Sequence, residues 1–93
     1  MKESSIEKEL VKRTRDKGGL ALKFVSPGTA GVPDRIILFP IAHIGFVELK
    51  RPGQKMRPLQ LRRKAQLERL GFRVYCVDGI DQIEEVLNEI RTA

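Results

Sequence analysis

Tryptophan is absent, and cysteine, histidine and tyrosine occur once each, as Cys76, His43 and Tyr75. A single cysteine cannot close an internal disulfide, which fits a reducing cytoplasm. One histidine and one cysteine also argue against a structural zinc site, histidine-based nuclease chemistry and Cys/His nucleophile schemes. Aromatic residues make up only 5 % of the chain, too few for an RNA-style stacking surface. Phe46 and Tyr75 are therefore expected in the core. No apolar run approaches the roughly 20 residues needed to span a bilayer. The N-terminus is charged and then amphipathic, unlike a signal peptide. Repeats, low-complexity tracts and interdomain linkers are missing too, so residues 1–93 are expected to form one domain with one modest core.

What the chain does have is positive charge in one place. Its net charge is +6. The segment from Lys50 to Arg73 holds nine basic residues against one acid, Glu68, so it carries +8 and the remainder −2. A basic block inside a folded domain is a footprint for phosphate backbone, although a solvated helix face would look the same. Hydrophobic residues are 41 % of the total, enough to fold rather than stay disordered.

The apolar periodicity predicts seven elements. Ser4 and Glu7 have capping-box spacing, and Ile6, Leu10, Val11 and Thr14 give a helix over 5–17, stopped by Gly18-Gly19. "LALKFV" predicts a strand over 20–25, and the Gly/Pro-rich stretch 26–33 a loop. "DRIILF" and "IGFVELK" read as two strands joined by a turn at Pro40 to His43, hence antiparallel. Pro58 opens a helix that ends near Leu70 before Gly71. "FRVYCVD" predicts a strand buried on both faces, with Cys76 an inert core thiol. Asp81 is expected to cap a last helix striped by Ile83, Val86, Leu87 and Ile90. The order is α-β-β-β-α-β-α, an α/β mixed sheet flanked by helices.

On two of these strands sit three ionisable groups that a core would not ask for. Glu48 and Lys50 are two apart and project to one face. If the two strands form a hairpin, Asp34 at the start of the first meets Glu48 and Lys50 at the end of the second. Two close carboxylates repel, and a hard divalent cation, Mg²⁺ or Mn²⁺, relieves that cost while binding substrate phosphate. A lysine beside them can orient a water and stabilise charge on phosphate. Taken singly, Asp34 reads better as a turn residue and Glu48–Lys50 better as a cross-strand ion pair. The combination points to phosphodiester hydrolysis.

The motifs "PD" (Pro33-Asp34) and "ELK" (Glu48-Leu49-Lys50) in this element order resemble the PD-(D/E)xK nuclease superfamily, with its restriction-endonuclease-like core. The longer pattern "GVPD…FVELKRPG…PLQ" resembles the VRR-NUC family, the virus-type replication-repair nuclease domain, in its stand-alone phage-type form. The resemblance implies that Asp34, Glu48 and the Leu49 carbonyl hold the metal. It implies that Lys50 is the catalytic lysine and that Gln60 is the glutamine of the following helix. It also implies a first-helix glutamate facing the site. Glu7 fits best, with Glu3 and Glu9 as alternatives, and capping of Ser4 competes for Glu7.

The expected activity is therefore metal-dependent DNA endonuclease cleavage. Arg51, Lys55, Arg57, Arg62, Arg63 and Lys64 would grip phosphate. The chain leaves little length for base-reading loops, so structure-specific cutting of branched DNA, a four-way junction above all, is expected in replication, repair or recombination. A homodimer is expected from the two-fold symmetry of such a substrate and the frequency of two-fold dimers. The location expected is the cytoplasm of a bacterial host, for a phage-encoded or bacterial protein, with no membrane and no small-molecule cofactor. The alternative is a non-catalytic nucleic-acid-binding module of the same fold. A pure binder has no reason to set acids beside phosphate.

Overall fold

Two short apolar runs and a tight turn build a hairpin at the centre of the molecule. In the computed structural model, which describes residues 1–93, strand β2 (Arg35–Phe39) pairs antiparallel with β3 (His43–Leu49). Its register runs from Arg35 opposite Val47 to Phe39 opposite His43. β1 (Leu20–Lys23) adds antiparallel to β2, and β4 (Arg73–Val77) adds parallel to β3. The sheet order is β1-β2-β3-β4. A parallel neighbour needs a crossover, and helix α2 (Pro58–Arg69) provides it. Helix α1 (Glu3–Asp16) precedes the sheet, and a short 3₁₀ turn (Ile80–Gln82) leads into α3 (Ile83–Thr92). The α-β-β-β-α-β-α order and the mixed sheet stand as the sequence predicts. No helix is long and apolar enough to cross a membrane.

One face of the sheet carries the core. Ile37, Phe39, Val47, Leu49 and Val77 meet Ile6 and Leu10 of α1 and Ile83, Val86, Leu87 and Ile90 of α3. Gly45 permits this contact, since a Cβ there would lie 2.5 Å from the Ile90 side chain. Buried Thr14 donates to the Leu10 carbonyl at 2.7 Å, which satisfies its hydroxyl inside the helix.

The opposite face is only partly covered, because α2 packs chiefly along β4 and buries a single residue, Gln60. Rings of Phe24, Phe46 and Phe72 stack across part of it, at 5.7 and 5.6 Å between centroids. Beyond them Leu20 and Leu22 remain 58 % and 46 % exposed, and Ile44 is exposed as well. The expectation that β4 is buried on both faces fails for this reason. Cys76 points to the open face and is exposed rather than a core thiol.

Several local expectations are also corrected. α1 begins at Glu3, its N-cap is Lys2, and no side chain caps it, so the Ser4–Glu7 capping box does not form. An ion pair with Arg35 takes Glu7 instead. Asp81 caps nothing, because the 3₁₀ turn enters α3 through Gln82, whose side chain bonds Asp78. His43 is the first residue of β3 rather than part of the turn.

The hairpin turn itself stores strain. Ile41 and Ala42 have φ of 64° and 57°, a region where a Cβ is unfavourable. Ala42 is exposed and supports no packing. Ala42→Gly is expected to stabilise the fold by about 0.5–1 kcal/mol, read as a higher urea midpoint at unchanged slope.

Candidate active site

Asp34 is delivered by the buried Pro33 just ahead of β2, and its carbonyl accepts the Phe24 N–H at 2.9 Å. Its carboxylate crosses to β3, where Oδ2 accepts the Leu49 N–H at 2.8 Å. β2–β3 pairing stops at Arg35 opposite Val47, so Leu49 has no β2 partner and the aspartate takes that role. Glu48 and Lys50 follow on β3 and are buried, at 2 % and 6 % exposure. The hairpin thus brings all three sequence-predicted groups to one end of the sheet.

Gln60 ties the site to α2. Its Oε1 accepts the Arg57 N–H at 2.9 Å, which turns its Nε2 toward Glu48 Oε2, 2.6 Å away. Lys50 Nζ stands 3.5 Å from the same Glu48 oxygen. The other oxygen, Glu48 Oε1, is buried with no hydrogen-bond partner. An orphaned buried carboxylate oxygen is expensive. Burial, and next the negative charge of Asp34, push the Glu48 carboxyl up to about 7, with Lys50 opposing them.

No group of three His, Cys, Asp or Glu side chains gathers to hold a metal. The donors present are two carboxylates and the backbone carbonyl of Leu49. This all-oxygen set suits a hard cation that keeps several waters. The unpartnered Glu48 Oε1 is where such a cation would bond.

Among the first-helix acids, Glu7 is bound to Arg35 at 2.9 Å and Glu9 to Arg13 at 3.0 Å. Glu3 is the one whose charge adds to the strain on Glu48. Cys76 stands opposite Glu48 in the β3–β4 register, where partial burial and then the Glu48 charge push its thiol up. Sequence reasoning missed this neighbour, because the register of a parallel strand leaves no local signal.

Between the 30–34 loop and the start of α2 lies a cleft of about 410 Å³, lined by Gly31, Asp34, Arg57, Leu59 and Gln60 among others. Gly31 has φ +81°, and a Cβ on it would fall 2.9 Å from Leu59 Cγ. The glycine therefore lets the loop press on α2. Arg63 completes this joint, with Nε and one terminal nitrogen donating to the Ala30 carbonyl at 3.0 and 2.8 Å. Lys64 pairs with Glu68 at 2.8 Å. Arg51, Lys55, Arg57 and Arg62 are exposed around the cleft and the loop before it.

No family model matches the chain. A protein of Acyrthosiphon pisum secondary endosymbiont phage 1, named "Putative nuclease p44", is 52 % identical over 81 residues, which is 87 % of either chain. A solved structure described as a "VRR_NUC domain" superposes with a TM-score of 0.86 at 30 % identity, covering 92 % of this chain and 94 % of that one. Fold, motif and homologue agree, and the chain belongs to the VRR-NUC family of nucleases.

Proposed function

We propose that the chain is a divalent-cation-dependent DNA endonuclease, acting on branched DNA, with the four-way junction as leading substrate, during replication, repair or recombination. The observation that carries this reading is Glu48 Oε1, buried and unpartnered within the Asp34–Glu48–Lys50 set. A Mg²⁺ or Mn²⁺ ion on Asp34, Glu48 and the Leu49 carbonyl would polarise the scissile phosphate and acidify a bound water. Lys50, fixed in place by burial, orients the attacking water and stabilises negative charge as it builds on phosphate. Gln60 holds one oxygen of Glu48 so that the other stays free. The exposed Arg51, Lys55, Arg57 and Arg62 supply phosphate contacts, with Lys64 behind them on α2, while Arg63 braces the 30–34 loop that borders the site.

A homodimer in the cytoplasm is part of the same reading. The open sheet face supports it, since Leu20, Leu22 and Ile44 form an apolar surface with no cover in one chain. The test incubates purified protein with Mg²⁺ or Mn²⁺ and a panel of duplex, single-strand, flap and four-way-junction DNAs, beside a light-scattering mass. Paired incisions on the junction by a dimer are expected, and chelation of the metal is expected to stop them. Binding to every DNA without cutting any would replace the nuclease by a binding module.

A further inference from the structure

The basic surface of α2 is not the only one. A groove of about 400 Å³ runs along the outer side of α1, lined by Lys8, Lys12, Arg15 and Arg35, with Glu7 its one acid. α1 packs on the core face of the sheet, while α2 and Gln60 lie on the other, so the two basic surfaces flank the sheet from opposite sides. They converge at the catalytic end. Arg35 directly follows Asp34, and Met1 ahead of α1 lies against the Arg51–Gln54 loop that follows Lys50.

The charges along α1 are divided by side. Arg13 and Lys17, toward α3, are neutralised by Glu9 and Glu84. On the groove side Lys8 and Arg15 take part in none of the chain's ion pairs. Lys12 pairs with Asp16 at 3.0 Å, but both side chains are more than half exposed, so a phosphate replaces that partner readily. Arg35 shares Glu7 and the Ala21 carbonyl. The groove side has two acids, Glu7 and Asp16, each held by one cation, so Lys8 and Arg15 are a surplus of positive charge around the concavity.

The spacing suits a nucleic-acid strand. Lys8, Lys12 and Arg15 lie four and three residues apart on neighbouring rows of one helix face, and span about 10 Å of its axis. Each strand of a duplex presents a phosphate about every 3.4 Å along its axis, so that span covers about three phosphates.

Resting on the endonuclease reading above, we infer that this groove takes the phosphate backbone of a second DNA arm, opposite the arm held by α2. The substrate then straddles the catalytic end of the sheet. A branch point sends arms to both sides, and a linear duplex does not.

The test measures binding by fluorescence anisotropy without metal, over a series of salt concentrations. Its probes are a four-way junction and a linear duplex of equal length. The triple variant Lys8→Ala, Lys12→Ala, Arg15→Ala is expected to lose about ten- to a hundredfold in junction affinity. The slope of log K against log salt should become shallower by about 2 to 3. Duplex affinity should change less than threefold. All three residues are exposed, and an unchanged melting temperature checks the fold. The charge-keeping variant Lys8→Arg, Lys12→Arg, Arg15→Lys should bind as the parent does. Equal loss on both DNAs, no loss on either, or the same loss in the charge-keeping variant overturns the inference. In each of those cases parental cleavage with Mn²⁺ leaves the nuclease reading standing. A parent that neither binds nor cuts DNA removes both.

Discussion

Lys50→Ala and Asp34→Asn are each expected to lower metal-dependent cleavage by on the order of 10³-fold while DNA affinity stays within a few-fold of the parent. The loss should fall on kcat, since neither side chain belongs to the exposed basic surface. Asp34→Asn keeps an oxygen for the Leu49 N–H, so the 2.8 Å bond that anchors the hairpin end can persist while one negative donor disappears. Lys50→Ala removes the cation 3.5 Å from Glu48 Oε2 and leaves that buried carboxylate facing Asp34 without relief. Its metal affinity at pH 8 should therefore tighten, since a divalent cation relieves that repulsion and no longer meets the ammonium charge, a change visible by calorimetry and absent from a variant that affects only the attacking water. DNA binding measured on the same samples should tighten slightly for Asp34→Asn as repulsion of phosphate falls. Near-normal turnover of Lys50→Ala would remove the lysine from the mechanism.

Glu48→Gln is expected to abolish cleavage and yet stabilise the metal-free fold above pH 7. In the native state the Glu48 carboxyl is held up to about 7 by burial and by the charge of Asp34, against an ordinary value of 4.5. Below 4.5 the group is protonated both folded and unfolded, and it costs nothing. Between 4.5 and 7 the unfolded chain releases the proton and the native state keeps it, so stability falls as pH rises. Above 7 the full penalty, about 3 kcal/mol, is present. Glutamine carries the neutral form at every pH and keeps an acceptor for Gln60. At pH 8 the variant should gain about 2 kcal/mol, or about 10 °C in Tm. At pH 4.5 the difference should vanish.

The same linkage sets the metal dependence. A divalent cation must displace the Glu48 proton, so its apparent affinity should drop up to tenfold per pH unit below 7. Raising Mn²⁺ should carry the acid limb of the activity profile to lower pH. Added Mn²⁺ should raise the Tm of the parent at pH 8 but not that of Glu48→Gln. A parent whose stability is flat from pH 5 to 8 would show that Glu48 is not strained, and with it the reason for a cation at Oε1.

Much of this site was legible in the chain itself. Two short apolar runs over 35–39 and 43–49, with a short turn between, leave an antiparallel hairpin as the only economical pairing, and that pairing alone carries Asp34 to Glu48 and Lys50. The basic character of 50–73 likewise needs no fold to be seen. Tertiary structure decided everything that depends on which surfaces meet. α2 is too short and too polar to cover the sheet, and so Cys76 is exposed where the apolar run of β4 suggested a core, and Leu22 is exposed on the same face. Arg35 stands across from α1 and captures Glu7, which leaves Glu3 as the acid that bears on Glu48. The 26–33 loop folds back onto α2, turning Arg63 from an outward cation into a clamp on the Ala30 carbonyl. Local periodicity records which side of an element a residue occupies. It holds no record of the partner that side will find, because that partner is set by long-range packing of segments distant in sequence.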